Sequence, residues 1–423
     1  MTTARAWSEA YTALIARLPE LAKRSRLTIG GFSTCVDVYL SFHETVGPLS
    51  AAANQNPDAV ALLAELERRA LNGIGGELFV NWPGGPRWID DHVTGRRAIG
   101  GTNAQAAYML AELGARSLIA LEDRTAGQLT VLHPDTLVAS DDGLVPISSL
   151  SPAGRERSPH YVFEFTAGET IGERRVPRSS RTIVRFDHDP LQHDAAFVRA
   201  SVQAAAHAGA GVLCGFNEIA PEDAAAEFDY AADTASAWRR AGLEIVHVEL
   251  GDFHGPEQRD QTLERLMPVA TSLGMSLSEL TDLTQAGTSP DVAAQHLAEA
   301  HALERICIHA DDWAFTVTRG DPEREREALM IGCLLAAARA AAGYFAVPDR
   351  LPDGARFRTP PLPPSRQRDG WSIVCCPAPY LEKPAATIGL GDTFLAGTLL
   401  VLGGSSNDAS AQDRPRAASA PSP

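Results

Sequence analysis

Apolar positions recur with helical spacing over 5–24, where Trp7, Tyr11, Leu14, Ile15, Leu18 and Leu21 share one face, and this predicts an opening amphipathic helix. A strand follows at 27–32, ending in Gly30-Gly31 and running on through Cys35, Val36 and Asp37. An Ala-rich stretch at 50–72 reads as helix until the Gly/Pro cluster at 73–86 breaks it. Over 97–122 a short strand reaches Gly100-Gly101, and a helix opens at Thr102 with Ala104, Ala107, Tyr108 and Ala111 on one stripe. Gly114 stands as its C-terminal cap, and the next strand begins at Ser117. That order is a strand–helix–strand crossover, the building block of a parallel sheet.

The pattern changes at 160–187. Tyr161-Val-Phe-Glu-Phe165 and Thr182-Ile-Val-Arg-Phe186 read as two strands joined by a polar loop containing Gly168, Gly172 and Pro177. A strand pair inside an α/β chain predicts a small sheet built out from the main domain. Helices and strands then alternate at 195–209, 211–216, 222–241, 243–250, 257–267, 290–303, 305–310 and 324–343. Residues 349–369, rich in Pro and Arg, read as a long surface loop, and no internal repeat is evident. The expected organisation is one core over 1–404, with a lid from about 36–91 and 156–186 inserted in it. The Ser/Ala/Pro-rich tail 405–423 is expected to be disordered.

Composition narrows the function. The chain has 423 residues, 44% of them hydrophobic and 21% charged, enough for a sizeable core. A net charge of −16 argues against nucleic acid and anionic membranes as partners, because an acidic field repels phosphate. Lys23 and Lys383 are the only lysines, and neither has a glycine-rich partner, so any phosphate clamp must use arginine or backbone N–H groups. The cysteines Cys35, Cys214, Cys307, Cys333, Cys375 and Cys376 form no C-x-x-C pair and read as small hydrophobes in a reducing compartment. With no signal-peptide pattern and no apolar run of membrane-spanning length, the expected location is cytoplasmic.

Thr387-Ile-Gly389-Leu390-Gly391-Asp392-Thr393 precedes an apolar helix at 394–402. Its glycines let successive N–H groups converge at a helix N-terminus, which binds anions, and Asp392 there can accept a proton from an attacking hydroxyl. The same residues also suit a simple Asp cap after a glycine turn. In Leu243-Glu-Ile-Val-His247-Val-Glu249, alternation puts His247 and Glu249 on one face near the carboxyl end of a strand. There a carboxylate can hold hydrated Mg²⁺, or line a polar edge. Ser276-Leu-Ser-Glu279 has the form of a capping box. Gly100-Gly101-Thr102-Asn103 can present N–H groups and an amide to a sugar hydroxyl, or make a turn with a Thr cap. Asp37 is an odd charge in a β run, and Arg181 and Arg185 stand between surface charge and phosphate clamp. The glycine pairs at 73–75, 209–211 and 389–391 lack the third glycine of a dinucleotide fingerprint.

Taken in order, these motifs resemble the ADP-dependent glucokinase and phosphofructokinase family, of the ribokinase-like superfamily, over about 27–400. Gly31-Phe-Ser-Thr-Cys-Val-Asp37 is similar to the strand carrying a sugar-binding aspartate, and Gly100-Gly101-Thr-Asn-Ala to a Gly-Gly-Gln/Asn-Ala helix start. Pro159-His160-Tyr-Val-Phe-Glu-Phe and Val176-Pro-Arg-Ser-Ser-Arg181-Thr-Ile look like its lid strands. His247-Val-Glu249 matches the family's His-x-Glu motif, Gly389-Leu-Gly-Asp392 its catalytic motif, and Ile308-His309-Ala-Asp-Asp-Trp313 its strand near the nucleotide base. Where the family usually has Asn-x-x-Glu, this chain has Ser276 before Glu279.

The resemblance implies a three-layer Rossmann-type α/β domain with a small β-rich lid. It implies a kinase transferring phosphoryl from ADP to a hexose or hexose phosphate with Mg²⁺ or another divalent cation, glucose being favoured as acceptor. The alternatives are an ADP-dependent 6-phosphofructokinase, an ATP-dependent ribokinase-type enzyme and an inactive binding homologue. On this reading Asp392, the 389–391 turn and Arg181 are catalytic. Asp37, Glu77, Gly101, Thr102, Asn103 and His160 bind sugar, while Glu249, Glu279 and Asp392 serve the metal.

Overall fold

A computed structural model describes residues 3–405 apart from 142, 155, 254, 285 and 286; the expected disorder of the tail concerns residues that, from 406 on, lie outside the described set. An eleven-stranded sheet forms the large layer. At its centre Ser117–Ile119, Thr28–Gly31, Ala210–Leu213, Val246–Glu249, Ser272–Ser276 and Arg305–His309 run parallel side by side. Along these strands alternate residues face opposite layers. Ile306 and Ile308 join a core with Phe197, Phe228, Trp238, Leu266 and Ala294, whereas Cys307 joins one with Tyr11, Met109, Leu334 and Leu399. Helices therefore cover both faces, and the three layers implied by the resemblance are present. Among the described residues no helix is long and apolar enough to cross a membrane.

The second sheet has five strands: Gly76–Phe79, Ser180–Arg185, His160–Phe165, Cys35–Ser41 and Arg96–Gly100 in that order. One face is apolar. Val38, Leu40, Tyr161, Phe163 and Val184 pack there with Leu49, Leu62 and Leu66 from the helices Phe42–Ala52 and Pro57–Asn72. Asn56 starts the second of these helices, its Oδ1 accepting from the Asp58 amide at 3.1 Å, and Gly73 ends it at φ 65°.

Three readings from the sequence are corrected. The run 27–37 is two strands, not one: Thr28–Gly31 belongs to the large sheet and Cys35–Ser41 to the small one. The strand before Gly100-Gly101 does not open a crossover of the parallel sheet; Arg96–Gly100 pairs antiparallel with Cys35–Ser41, Cys35 opposite Gly100. A short apolar run ending in glycines carries no mark of which sheet it will join, and the chain passes from the small sheet to the large domain through Gly101 at φ 86°. The large sheet also has antiparallel margins at Trp313–Thr318, Trp371–Pro377, Ser365–Arg368 and Gly143–Pro146 that the alternation of helix and strand does not announce.

Candidate active site

The same period of two that builds the small sheet's core places its polar residues. Cys35, Asp37, Tyr39, His160, Val162, Glu164, Glu77, Arg181, Ile183 and Arg185 alternate with the core-facing residues of their strands and so share the opposite face. Tyr39 and Val162 on that face pack with Ile388, just before the Gly389 turn, so this face looks onto the large sheet. Ligands of open α/β sheets sit outside the carboxyl ends of the strands. Glu249, Ser276 and His309 are each the last residue of a parallel strand there.

The helix Leu390–Leu402 begins at Gly389, whose φ is 69°. Glycine is required, because a Cβ would stand 2.2 Å from both the Arg339 guanidinium and Gln105 Oε1. The first helical acceptor is taken by the Thr393 amide, which donates to the Gly389 carbonyl at 3.0 Å, so the amides of Leu390, Gly391 and Asp392 have no acceptor within the helix. Free amides at the start of a helix are suited to an anion. Asp392 stands among them. Burial pushes its carboxyl up, opposed by the Arg339 charge and a hydrogen bond from Thr102.

Asp37 is buried, and burial pushes it up to about 6; His160 opposes the shift and Asp392 adds to it. Asp37 and His160 are register partners, their Oδ1 and Nδ1 atoms 3.8 Å apart. His160 donates Nε2–H to Asp189 Oδ2 at 2.6 Å. Burial opposes protonation of His160, but Cys35 and Asp189 outweigh it and raise the imidazole pKa. Glu77 pairs with Arg185 at 2.7 Å and accepts from Asn217 Nδ2 at 2.9 Å. Neither alternative for Arg185 therefore holds: it is fully buried against Glu77, too deep for surface charge and already matched by a carboxylate. Glu218 lies in the same field, pushed up by burial to about 7 against His160 and Arg185. Asn103 is buried with its Nδ2 unpartnered among the described residues, as is Arg181 Nε. Such groups are what a bound polar ligand would satisfy.

On the large-domain side Glu249 accepts from His247 Nε2 at 2.8 Å and lies 3.5 Å from His309 Nε2. Burial pushes Glu249 up, and hydrogen bonds from His247 and His309 more than reverse it, to about 2. Burial opposes a charge on His309, yet Glu249, Glu279 and Asp392 together raise its pKa. Glu279 does make the capping box: its amide donates to Ser276 Oγ at 3.2 Å, and its Oε2 accepts from the Ser276 amide at 2.6 Å. Glu249, Glu279 and Asp392 thus share an electrostatic neighbourhood around His309 without converging on one point.

Sequence reasoning missed Arg339, Asp189 and Glu218. Arg339 is a lone charge in an alanine run of the helix Pro322–Ala342, a signal available in the sequence. Glu218 follows a parallel strand, where the carboxyl-end rule applies. Asp189 lies beyond the second lid strand with no local pattern to mark it.

An α/β sheet carrying a helix end with free amides and a carboxylate, faced by a polar small sheet, is the equipment of a phosphotransferase. The chain belongs to the family described as the ADP-specific phosphofructokinase/glucokinase conserved region, whose model matches residues 27–401. It is an ADP-dependent sugar kinase, an enzyme acting on a sugar hydroxyl. An ADP-specific phosphofructokinase of Thermococcus zilligii is 23% identical over 359 residues, covering 73% of this chain and 78% of the relative. An ADP-dependent glucose/glucosamine kinase of Pyrococcus abyssi is 22% identical over 273 residues, covering 56% and 59%. A solved ADP-dependent kinase in complex with fructose-6-phosphate and ADPβS superimposes with a TM-score of 0.74 at 17% identity, covering 94% of this chain and 98% of that one. That likeness shows the fold.

Proposed function

We propose that this enzyme phosphorylates an uncharged hexose, glucose being favoured, with ADP as donor and AMP as product. The observation that carries the acceptor reading is the charge of the sugar-facing pocket. Asp37, Asp189, Glu77 and Glu218 lie there, paired with His160 and Arg185 and with only the weaker fields of Arg339 on Asp37 and of Arg157 on Asp189 beside them. Carboxylates accept from sugar hydroxyls, whereas a sugar phosphate would bring about two more negative charges into the same field. Fructose 6-phosphate is the second reading. It has in its favour Arg96, whose guanidinium lies 4.5 Å over the Tyr39 ring on the rim of the small sheet.

In this reading Asp37, Glu77 and His160, with Gly101, Thr102 and Asn103 at the helix start, hold the sugar. Asp392 takes the proton of the attacking hydroxyl. The amides of 390–392 receive the transferring group, and Arg181 balances its charge from the small lobe. That lobe, from about 36–91 and 156–186 together with Arg96–Gly100, would close as a lid and exclude water, a competing acceptor. A divalent cation, Mg²⁺ by preference, suits Glu249 and Glu279. Both are oxygen donors, but each is already engaged by protein partners, so they would hold the ion through its waters. When bound it would neutralise charge on the diphosphate.

The test is phosphotransfer on a grid of ADP and ATP against glucose and fructose 6-phosphate. AMP formation with ADP and glucose is expected. A strong preference for fructose 6-phosphate would overturn the acceptor assignment, and turnover with ATP alone the donor.

A further inference from the structure

Cys35 has no part in phosphoryl transfer as described, yet its sulfur stands in a defined polar cluster. Cys35 Sγ lies 3.5 Å from His160 Nδ1 and 3.8 Å from Asp37 Oδ1, and that oxygen lies 3.8 Å from His160 Nδ1. Three donors of different kinds thus form a nearly equilateral triangle. Tetrahedral zinc, with bonds of about 2.0–2.3 Å to sulfur, nitrogen and oxygen, needs donor separations of about 3.4–3.6 Å. The triangle is within a few tenths of an ångström of that.

The local sequence explains the arrangement. Cys35 and Asp37 are two apart in one strand and share a face, and His160 is the register partner of Asp37 on the neighbouring strand. The far side of the imidazole is also arranged, because His160 Nε2 donates to Asp189 Oδ2 at 2.6 Å. That bond leaves Nδ1 turned toward the triangle, where it can bind a cation once its own proton is lost. A carboxylate behind a histidine in this way orients a metal-bound imidazole and raises its basicity.

We propose that Cys35, Asp37 and His160, backed by Asp189, form a binding site for Zn²⁺ or a similarly thiophilic divalent cation, and that its occupation blocks the hexose. Thiolate and imidazole select zinc over magnesium, so the site is distinct in chemistry from the carboxylates Glu249 and Glu279. Binding forms sulfur–metal and nitrogen–metal bonds, and the Cys35 thiol proton and the Nδ1 proton of the His160 imidazolium pass to solvent, so occupancy rises with pH. No oxidant or reductant is involved. The fourth position of the ion remains for water. The blocking half of the proposal rests on the assignment of Asp37 and His160 to the sugar; the metal site itself does not.

The experiment uses Co²⁺ as a spectroscopic probe on the full chain without substrates, followed by displacement with Zn²⁺. A thiolate-to-cobalt charge-transfer band is expected, lost on Zn²⁺ addition and absent in Cys35→Ser. The buried cysteines elsewhere make that variant the necessary control. Asp189→Asn is expected to weaken Zn²⁺ binding about 10–100-fold, as for other partners behind a ligand, and Cys35→Ser by more. In the Mg²⁺-supported kinase assay, Zn²⁺ inhibition should be relieved by raising the hexose and not by raising Mg²⁺, each variant being compared with its own uninhibited rate. A cobalt band unchanged in Cys35→Ser, or no tight binding of either ion, would overturn the site. Binding that depends on Cys35 but is indifferent to hexose would keep the site and overturn the placement of the sugar.

Discussion

Arg339 donates its Nη1 to the Gly389 carbonyl at 3.0 Å, tying the turn from which the Asp392 helix starts to the neighbouring helix Pro322–Ala342. The same guanidinium donates to Thr393 Oγ1 at 3.0 Å and to Gln105 Oε1 at 2.6 Å, and it is buried. A single cation thereby fixes the amides of 390–392 relative to the helix Thr102–Glu112, whose Thr102 also reaches Asp392. Arg339→Met would leave the Gln105 oxygen without this donor and the Gly389 carbonyl with only its Thr393 donors. Losing buried hydrogen bonds to a charged group costs about 1.5–3 kcal/mol. The expected outcome is a lower denaturant midpoint together with a fall in turnover. Arg339→Lys should recover part of the stability but less of the turnover, because an ammonium cannot reproduce the fork. Full activity in Arg339→Met would show that the turn holds itself.

Glu249 is expected to matter twice. It is the anion between two histidines, and on the proposed reading it would also hold the hydrated ion. Glu249→Gln keeps the shape but leaves the His309 charge without its nearest counter-ion, so some loss of stability accompanies the loss of activity. Leaving a buried polar group unmatched costs about 1–3 kcal/mol. Turnover should fall at least about tenfold, the equivalent of about 1.4 kcal/mol in barrier. Assays at saturating ADP over a Mg²⁺ titration separate the two effects. Wild-type turnover at high Mg²⁺ would leave Glu249 a structural partner of His247 and His309 only.

The pocket's buried acids predict a pH dependence of stability. Glu218 is raised from 4.5 to about 7 by burial, in a field set by His160, Arg185, Glu77 and Asp189. A carboxyl whose folded pKa exceeds its unfolded value favours folding below the unfolded pKa, and that contribution is lost as pH rises through the folded pKa. The window is therefore from about 4.5 to about 7, and Asp37, raised to about 6, adds to it with the same sign. Thermal unfolding from pH 5 to 8 should show a declining melting temperature in the wild type and a flatter profile in Glu218→Gln. A difference of a few degrees at pH 8 is expected, since about 1 kcal/mol moves the melting temperature of a large domain by about 2–4 °C. Parallel profiles would mean that Glu218 titrates normally in the folded protein.

The parts of this site that were legible in the sequence are those fixed by local geometry. The glycine turn before Asp392, the strand-end Glu249 and the capping box at Ser276 and Glu279 each follow from a few adjacent residues. Asp37 and His160 were reached through the family resemblance, and that they share one face follows only from the pairing of Cys35–Ser41 with His160–Phe165. What was not legible depends on tertiary placement. Nothing near Gly100 says that its strand turns back onto Cys35 rather than entering the parallel sheet. Nothing near Asp189 says that it will meet His160, 29 positions away, across the base of the small sheet. The pairing of Glu77 with Arg185 is of the same kind, since it arises only when Gly76–Phe79 joins the edge of Ser180–Arg185.

Asp392→Asn is expected to abolish most turnover while leaving nucleotide binding largely intact. Asp392 is the third residue of its helix, among the amides of Leu390 and Gly391 that precede the first intrahelical bond. Asparagine has the same size and is tolerated in a first helical turn, and Gly389 with Arg339 holds that turn independently of the carboxylate. The fold should therefore survive. Removal of the charge should even relieve its repulsion with Asp37 and Glu249, both of which lie in its field. The amide, however, cannot take the proton of the attacking hydroxyl, and a positioned general base contributes about 10²–10⁴-fold. Turnover should drop by that factor with ADP affinity changed by less than about tenfold, equivalent to about 1.4 kcal/mol. The check is a paired measurement of ADP binding by calorimetry and of AMP formation under saturating substrates on the folded variant. Turnover within about tenfold of wild type would leave Asp392 a helix-end carboxylate and send the search for the base elsewhere in the pocket. Asp37 would come first, since burial pushes its carboxyl up to about 6 and His160 stands beside it.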